Sequence, residues 1–317
     1  MVNEAGLWKL RLTMVGTLAV IIGISTLAFT TILWYLDILD LYSLAVTVIA
    51  FNVLQWLISP YLVNIFYGVR PLASNEKPQL HAMIEQISSR SGIKSPQLML
   101  SKLQIPNAFA YGSPLTGNRI AVTEGLLTDL ENEEIEAVIG HEVGHIVHRD
   151  MQVMMVVSCL PSLFYFLSRS FLWNSNDRNR RDNGGVALFG AITMLVYFAL
   201  TLLNLSLSRQ REYYADQHAS QVVNDGARKL SEGLAKISTG TYDRTSGRNV
   251  GVSSFKTLMI ADPDHASQDA AVLRGGNDSE LVNEVINRRI SSVEGFFEIF
   301  STHPNIVKRL RALNESS

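Results

Sequence analysis

The sequence predicts a mainly α integral membrane protein, with about four transmembrane helices and a small α+β domain built on a short β-sheet. Three observations predict it. Hydrophobic residues make up 47% of the 317-residue chain, and the excess is gathered in four apolar blocks. Between the second and third blocks, from about Arg70 to Arg149, the composition becomes that of a soluble domain. After Ser208 the chain is polar again and mainly helical by pattern. Four segments follow: residues 1–67 as an N-terminal hairpin, 68–150 as the first part of the polar domain, 151–207 as a second apolar hairpin, and 208–317 as the second part.

The first block runs from about Leu12 to Leu36, long enough for a hydrocarbon core of roughly 30 Å. It exceeds the h-region of about 7–15 residues in a cleaved signal peptide and lacks a small-x-small exit, so a retained helix is expected. Lys9 and Arg11 precede it while Asp37 and Asp40 follow it, which places the N-terminus in the cytosol. The second block, about Leu44 to Phe66, returns the chain to that side, where Arg70 and Lys77 stand. The third, about Met151 to Trp173, contains Pro161 and Arg169, and the fourth covers about Val186 to Leu207. These two read as a spanning pair, with a buried or interface-lying hairpin as the alternative. Either way, the chain before Met151 and after Ser208 shares the cytoplasmic side of the plasma membrane.

In the polar domain, Pro78–Arg90 has the period of an amphipathic helix and is closed by Ser91-Gly92. Strands are expected at Gln97–Ser101, Ala108–Tyr111 and Arg119–Thr123, with Gly112, Ser113, Pro114 and Gly117 turning between the last two. Helices follow at Glu124–Leu130 and Glu133–Asp150, with Asn132 as the expected N-cap. Further helices are expected at Arg209–Val223, Ala227–Ile237, Glu280–Ile290 and about Asn305–Leu313. Ser238–Asp278, rich in Ser, Thr, Gly and Asp, reads as loops.

Composition also excludes. A formal net charge of -2 without a long basic stripe argues against a nucleic-acid partner. The single cysteine, Cys159, permits neither an internal disulfide nor a Cys-based zinc site, and reads as a packing residue.

The chemistry is concentrated at His141-Glu142-Val143-Gly144-His145. On a helix, His141 and His145 project from one face and can grip one Zn²⁺, while Glu142 is placed to accept a proton from a polarised water. A pair of surface histidines is the alternative. Two histidines leave a catalytic zinc one protein ligand short. A third histidine in H-E-x-x-H-x-x-G-x-x-H is excluded, because His148 stands at the glycine position and Met151 at the histidine position. A later helix offers Glu212 in Ser208–Asp216 (SRQREYYAD), with Asp216 one turn on to orient a ligand histidine. A solvated acidic stripe beside Arg209 and Arg211 is the competing reading. His81, His148, His218 and His265 read as surface histidines.

HEVGH, REYYAD after a pair of apolar blocks, the upstream NAFAYG and VTEGLL segments, and STHPNIVKRL together resemble the HtpX family of membrane zinc metalloproteases. That family is related to the CAAX prenyl endopeptidases. The resemblance covers nearly the whole chain apart from Ser238–Asp278. It implies a gluzincin-like α+β zinc protease domain, with one Zn²⁺ held by His141, His145 and Glu212 and with Glu142 as base. The implied activity is endoproteolysis of misfolded membrane or membrane-proximal proteins, a quality-control role, with the lipid bilayer and protein or peptide substrates as partners. By the same resemblance, the strand of Asn107, Ala108, Phe109, Ala110 and Tyr111 borders the cleft and pairs with extended substrate; an ordinary core-edge strand is the alternative. His303, in Ser301-Thr302-His303-Pro304, is expected to approach the metal, either stabilising an oxyanion or occluding the ion; a local capping histidine is the alternative. Asn305 stands where the family often has a second proline. Arg309 is expected to pair with an acidic group such as Asp216. Two rivals share parts of this pattern. A CAAX-type prenyl endopeptidase carries more membrane helices than four blocks supply. A catalytically silent scaffold or chaperone-like binder would be free to lose Glu142.

Overall fold

A computed structural model describes residues 41–175, 183–245 and 278–315. The first apolar block, His265 and most of Ser238–Asp278 lie outside the described residues. The described chain runs α1 (Leu41–Phe66), β1 (Val69–Pro71), α2 (Pro78–Arg90), β2 (Gln97–Ser101), β3 (Ala108–Ser113), β4 (Gly117–Thr123), α3 (Glu124–Asp129) and α4 (Asn132–Val147). It continues with α5 (Asp150–Ser175), α6 (Asn183–Val222), α7 (Gly226–Thr245), α8 (Asp278–Asn287), α9 (Ser292–Glu298) and α10 (Ile306–Glu315).

Three of these helices, α1, α5 and α6, contain stretches long and apolar enough to cross a membrane. Val46, Ile49, Leu160, Leu195 and Phe198 are among the large apolar side chains they leave exposed, as suits helices of that length facing lipid. The chain divides into two compact units. Among the described residues, one joins Leu41–Gln55 with Met155–Asn204; there Leu44 and Val48 pack on Leu163, Phe166 and Leu167. The other joins Trp56–Met154 with the residues from Leu205 onward and contains the sheet.

The sheet has the order β1-β2-β4-β3, with β2 and β4 parallel and the outer pairs antiparallel. Leu98, Leu100, Ile120 and Val122 enter the core shared with Ile84 and Ile87 of α2, Val138 and Ile139 of α4, and Leu230 of α7. The opposite face buries Met99, Phe109, Tyr111 and Ala121 against Tyr67 and Val69. The period-2 alternation of the pleat sends neighbouring residues to these two cores. β3 is an edge strand. Thr123 N–H donates to Asn107 C=O at 3.0 Å, which sets the parity of the antiparallel pair. Backbone groups of Ala108, Ala110 and Gly112 therefore point to the open edge, and those of Phe109 and Tyr111 point to β4.

Several expectations are corrected. β1 is a three-residue strand, too short to show an alternating pattern. β3 and β4 each extend two residues into the expected turn, because Gly117 at φ +70° closes the hairpin tightly. The N-cap of α4 is Glu131, not Asn132: its side chain and that of Glu134 form a reciprocal capping box. α4 stops at Val147 instead of reaching Asp150, because Arg149 adopts φ +55° and α5 starts afresh. No Gly or Pro interrupts residues 196–222, so the fourth apolar block and the expected Arg209–Val223 helix form one 40-residue helix. α7 continues through Ser238 to Thr245, with Thr239 Oγ1 donating to Ala235 C=O at 2.9 Å inside the helix. α8 ends at Asn287, and the unexpected α9 begins at a second capping box formed by Ser291 and Glu294.

Two glycines decide how near α4 lies to α6. A Cβ at Gly144 would sit 3.0 Å from Ala215 Cα and 3.1 Å from His218 Cβ; one at Gly140 would sit 2.9 Å from Val223 Cγ2. Both neighbours of Gly144 are at or beside backbone, so they have little room to yield. Gly144→Val is expected to overpack this contact and lower unfolding stability by about 1–3 kcal/mol in denaturant titration of the detergent-solubilised protein. An unchanged midpoint would show that the helices are free to separate.

Candidate metal centre

α4 carries His141, Glu142 and His145, and the close contact with α6 brings Glu212 to them. His141 Nε2 and His145 Nε2 are 3.2 Å apart. Glu212 Oε1 lies 3.6 Å from His145 Nε2, and Oε2 lies 3.7 Å from His141 Nε2. One ligand atom from each of the three residues falls within 4.8 Å of the others. The acidic-stripe reading of Glu212 and Asp216 is overturned, since both are buried, at 5% and 3% exposure.

The outer ring nitrogens are already committed. His141 Nδ1 lies 2.9 Å from Asp216 Oδ1, and His145 Nδ1 lies 2.5 Å from Asp150 Oδ2. An ionised carboxylate only accepts, so each Nδ1 is the nitrogen that carries a proton, which leaves each Nε2 facing inward as the atom that can ligate a metal. Two imidazole Nε2 atoms and a carboxylate then converge. This donor set fits a metal cation.

The surrounding charges favour the same outcome. Burial works to raise the pKa of Glu212, but His303 and Arg309 beside it hold the carboxyl well below its usual range. Burial likewise opposes ionised Asp216, and Arg309 with His141 outweighs it, so that pKa is lowered. Burial disfavours a charged His145, yet its bond to Asp150 and the nearby Glu212 and Glu142 push its pKa up to about 9. A cation is therefore welcome at His145, and a metal must compete with a proton there. Arg309 is 1% exposed; its Nη1 lies 3.0 Å from Glu212 Oε2, and its Nε and Nη2 donate to Asp216 at 2.9 and 2.5 Å.

Other expected site residues also gather here. Glu142 is buried and its Oε2 accepts from Ala110 N–H at 2.6 Å, which ties the H-E-x-x-H helix to the edge strand. His303 Nδ1 lies 3.3 Å from Glu212 Oε1. Its loop is held by Arg209, which donates to Ser301 C=O at 2.8 Å, and by Glu298, which accepts from Asn305 N–H at 3.2 Å. Asn107 and Phe109 are buried and bonded inward, with Asn107 N–H donating to Thr123 Oγ1 at 2.9 Å. His148 is exposed, as read from the sequence, whereas His81 is half-buried with Nε2 3.1 Å from Ala73 C=O. His218 is not a free surface histidine: it is half-buried with Nε2 2.9 Å from Ser91 Oγ, joining α6 to the end of α2.

Two residues escaped the sequence reading, Asp150 and Arg211. Asp150 bridges His145 Nδ1 and Arg211 Nε, the latter at 2.9 Å. In an unbroken helix the fifth residue after His145 points about 140° away from it. Only the left-handed turn at Arg149 swings Asp150 back beneath His145. No local signal in the sequence announces that turn.

The chain is similar to known proteins over most of its length. Residues 74–317 match the family described as Peptidase family M48. A Protease HtpX homolog from Thermoplasma volcanium is 32% identical over 99% of this chain and 96% of its own. Those from Thermoplasma acidophilum and Archaeoglobus fulgidus are each 34% identical, over 84% and 97% of this chain and 83% and 87% of theirs. Among solved structures, S. mikatae Ste24p has a similar fold, with TM-score 0.58 and 20% identity over 98% of this chain and 67% of that one.

Asp150 supplies a test of the metal reading. Asp150→Ala removes the group that fixes the His145 tautomer and is expected to weaken metal binding about 10–100-fold. Asp150→Asn keeps an acceptor and should lose less. Competition with a chromophoric chelator measures both; equal affinity in Asp150→Ala would remove Asp150 from the site.

Proposed function

The chain belongs to peptidase family M48 and is a membrane-bound metalloprotease; on that premise we propose that His141, His145 and Glu212 hold one Zn²⁺ and that Glu142 is the catalytic base. The observation that carries this is the spacing of 3.2, 3.6 and 3.7 Å among the converging nitrogens and carboxylate oxygens. Zinc bonds of about 2.0–2.2 Å at tetrahedral angles set neighbouring ligand atoms roughly 3.3 Å apart. Three protein ligands, rather than four, also suit a catalytic zinc.

When bound, zinc supplies Lewis acidity that polarises the scissile carbonyl and lowers the pKa of water toward about 7. The chain's own residues do the rest. Ala110 N–H fixes one oxygen of the Glu142 carboxylate, so its orientation is set before substrate arrives. Glu142 takes the proton of the attacking water and delivers it to the leaving amine. Asp216 and Asp150 hold His141 and His145 in their tautomers, and Arg309 balances Asp216 and Glu212. His303, packed beside Glu212, donates to the carbonyl oxygen as negative charge develops there.

Substrate binds as an added strand along β3. The outward groups of Ala108 and Ala110 pair with an extended peptide, while Asn107 and Phe109 hold the strand to β4. Ala110 N–H is engaged by Glu142, so its C=O is the group that meets the peptide. Main-chain pairing demands little of the substrate sequence, which suits turnover of misfolded proteins at the membrane. The charge pattern of Lys9, Arg11, Arg70 and Lys77 favours a cytoplasmic site, and the length of the four apolar blocks favours four spans in the plasma membrane.

Glu142→Gln is expected to retain zinc by elemental analysis while losing at least about 10²-fold in casein cleavage, and a chelator should silence the parent enzyme until zinc is restored. Full activity in Glu142→Gln would end this mechanism. A protease-sensitive tag inserted at Asn176 is expected to be cut from the external side; cutting only from the cytoplasmic side would remove the four-span topology.

A further inference from the structure

Away from the metal centre, α9 and the turn after it carry Val293, Phe296, Ile299 and Phe300, exposed to 63%, 59%, 41% and 56%. Phe296 stacks edge-on against Phe297 and Phe300, each at a centroid distance of 5.7 Å, so the rings form one patch. The segment is well tied. A capping box closes its start, Glu298 accepts from Asn305 N–H, and Arg209 donates to Ile299 C=O at 3.0 Å and to Ser301 C=O at 2.8 Å. A clustered apolar surface on a tied-down segment marks an interaction face.

Arg209 indicates what covers it. It is the second residue after Leu207, where the apolar run of α6 ends, and so lies about 3 Å further along the helix. Leu195, Phe198 and Leu203 are exposed along that run, as the lipid-facing side chains of a membrane-spanning helix are. The Arg209 clamp thus fastens the aromatic end of α9 to the turn at which α6 leaves the hydrocarbon. A short amphipathic element laid at that level buries an apolar face of Phe and aliphatic side chains in the headgroup–acyl boundary. Arg289, exposed in the segment that leads into α9, offers a cation to the headgroups.

We infer that Val293, Phe296, Ile299 and Phe300 seat in the boundary of the same bilayer that α6 crosses, as a lipid contact separate from the spanning helices. Only Ser301 and Thr302 separate Phe300 from His303, so this contact holds the His303 loop at a set depth relative to the membrane.

Spin labelling tests the inference on the full-length protein. In a Cys159→Ala background, Phe296→Cys, Phe300→Cys and Val293→Cys variants receive a nitroxide in nanodiscs of phosphatidylcholine and phosphatidylglycerol. Bound metal serves as the check on folding, and three positions guard against the loss of any one. Collision rates with oxygen and with a water-soluble nickel chelate are compared with those of a label at Glu284→Cys, on the exposed face of α8. The expected result is an oxygen-to-nickel ratio several-fold above that of the Glu284 label. A ratio equal to it would place the patch in water and overturn the proposal. Shielding from both reagents would overturn it too, assigning the patch to residues 246–277, to a second copy or to another protein surface.

Discussion

Arg309 is the cation on which the metal centre depends. It is almost wholly buried between two carboxylates, Glu212 and Asp216, one turn apart on α6. A buried charge is tolerable only when it is fully paired, and removing one partner of such a set leaves the others desolvated and uncompensated. Here the pairing also sets chemistry. With Arg309 in place, Asp216 stays ionised and orients His141, and Glu212 stays ionised as a proposed donor to the metal. The last helix, α10, therefore completes a site whose other parts come from α4 and α6.

Close packing makes that electrostatic arrangement reachable. Gly140 and Gly144 have no side chain to hold α4 away from Ala215 and Ala219 of α6. The glycine inside H-E-x-x-H is thus a packing device, and the histidines on either side of it inherit a short path to Glu212. The left-handed turn at Arg149 adds a second device. By ending α4 early, it lets the first residue of α5 return to His145 and makes Asp150 the counterpart of Asp216. Each proposed ligand histidine consequently has its own acidic partner.

In the proposed mechanism the edge strand links catalysis to substrate. One of its outward N–H groups is spent on Glu142, so the strand proposed as a template for an extended peptide also fixes the proposed base. Pairing geometry decides this, because only alternate residues of an edge strand face outward. Ala110 is outward and Phe109 is not.

Much of this protein was legible in one dimension. Hydropathy alone marked the apolar segments, since crossing a bilayer requires length and little else. Helical spacing put His141 with His145 and Glu212 with Asp216, and α2 and β2 fell where their periodicity placed them. Local chemistry was less decisive at the ends: Glu131 rather than Asn132 caps α4, and β1 and α9 are too short for a period to show. The roles of Asp150, Arg211 and His218 were not legible, because each depends on a contact between segments far apart in sequence or on one left-handed residue. Periodicity specifies which residues share a face. Only the packed helices decide which faces meet, because burial must pair every charge it encloses.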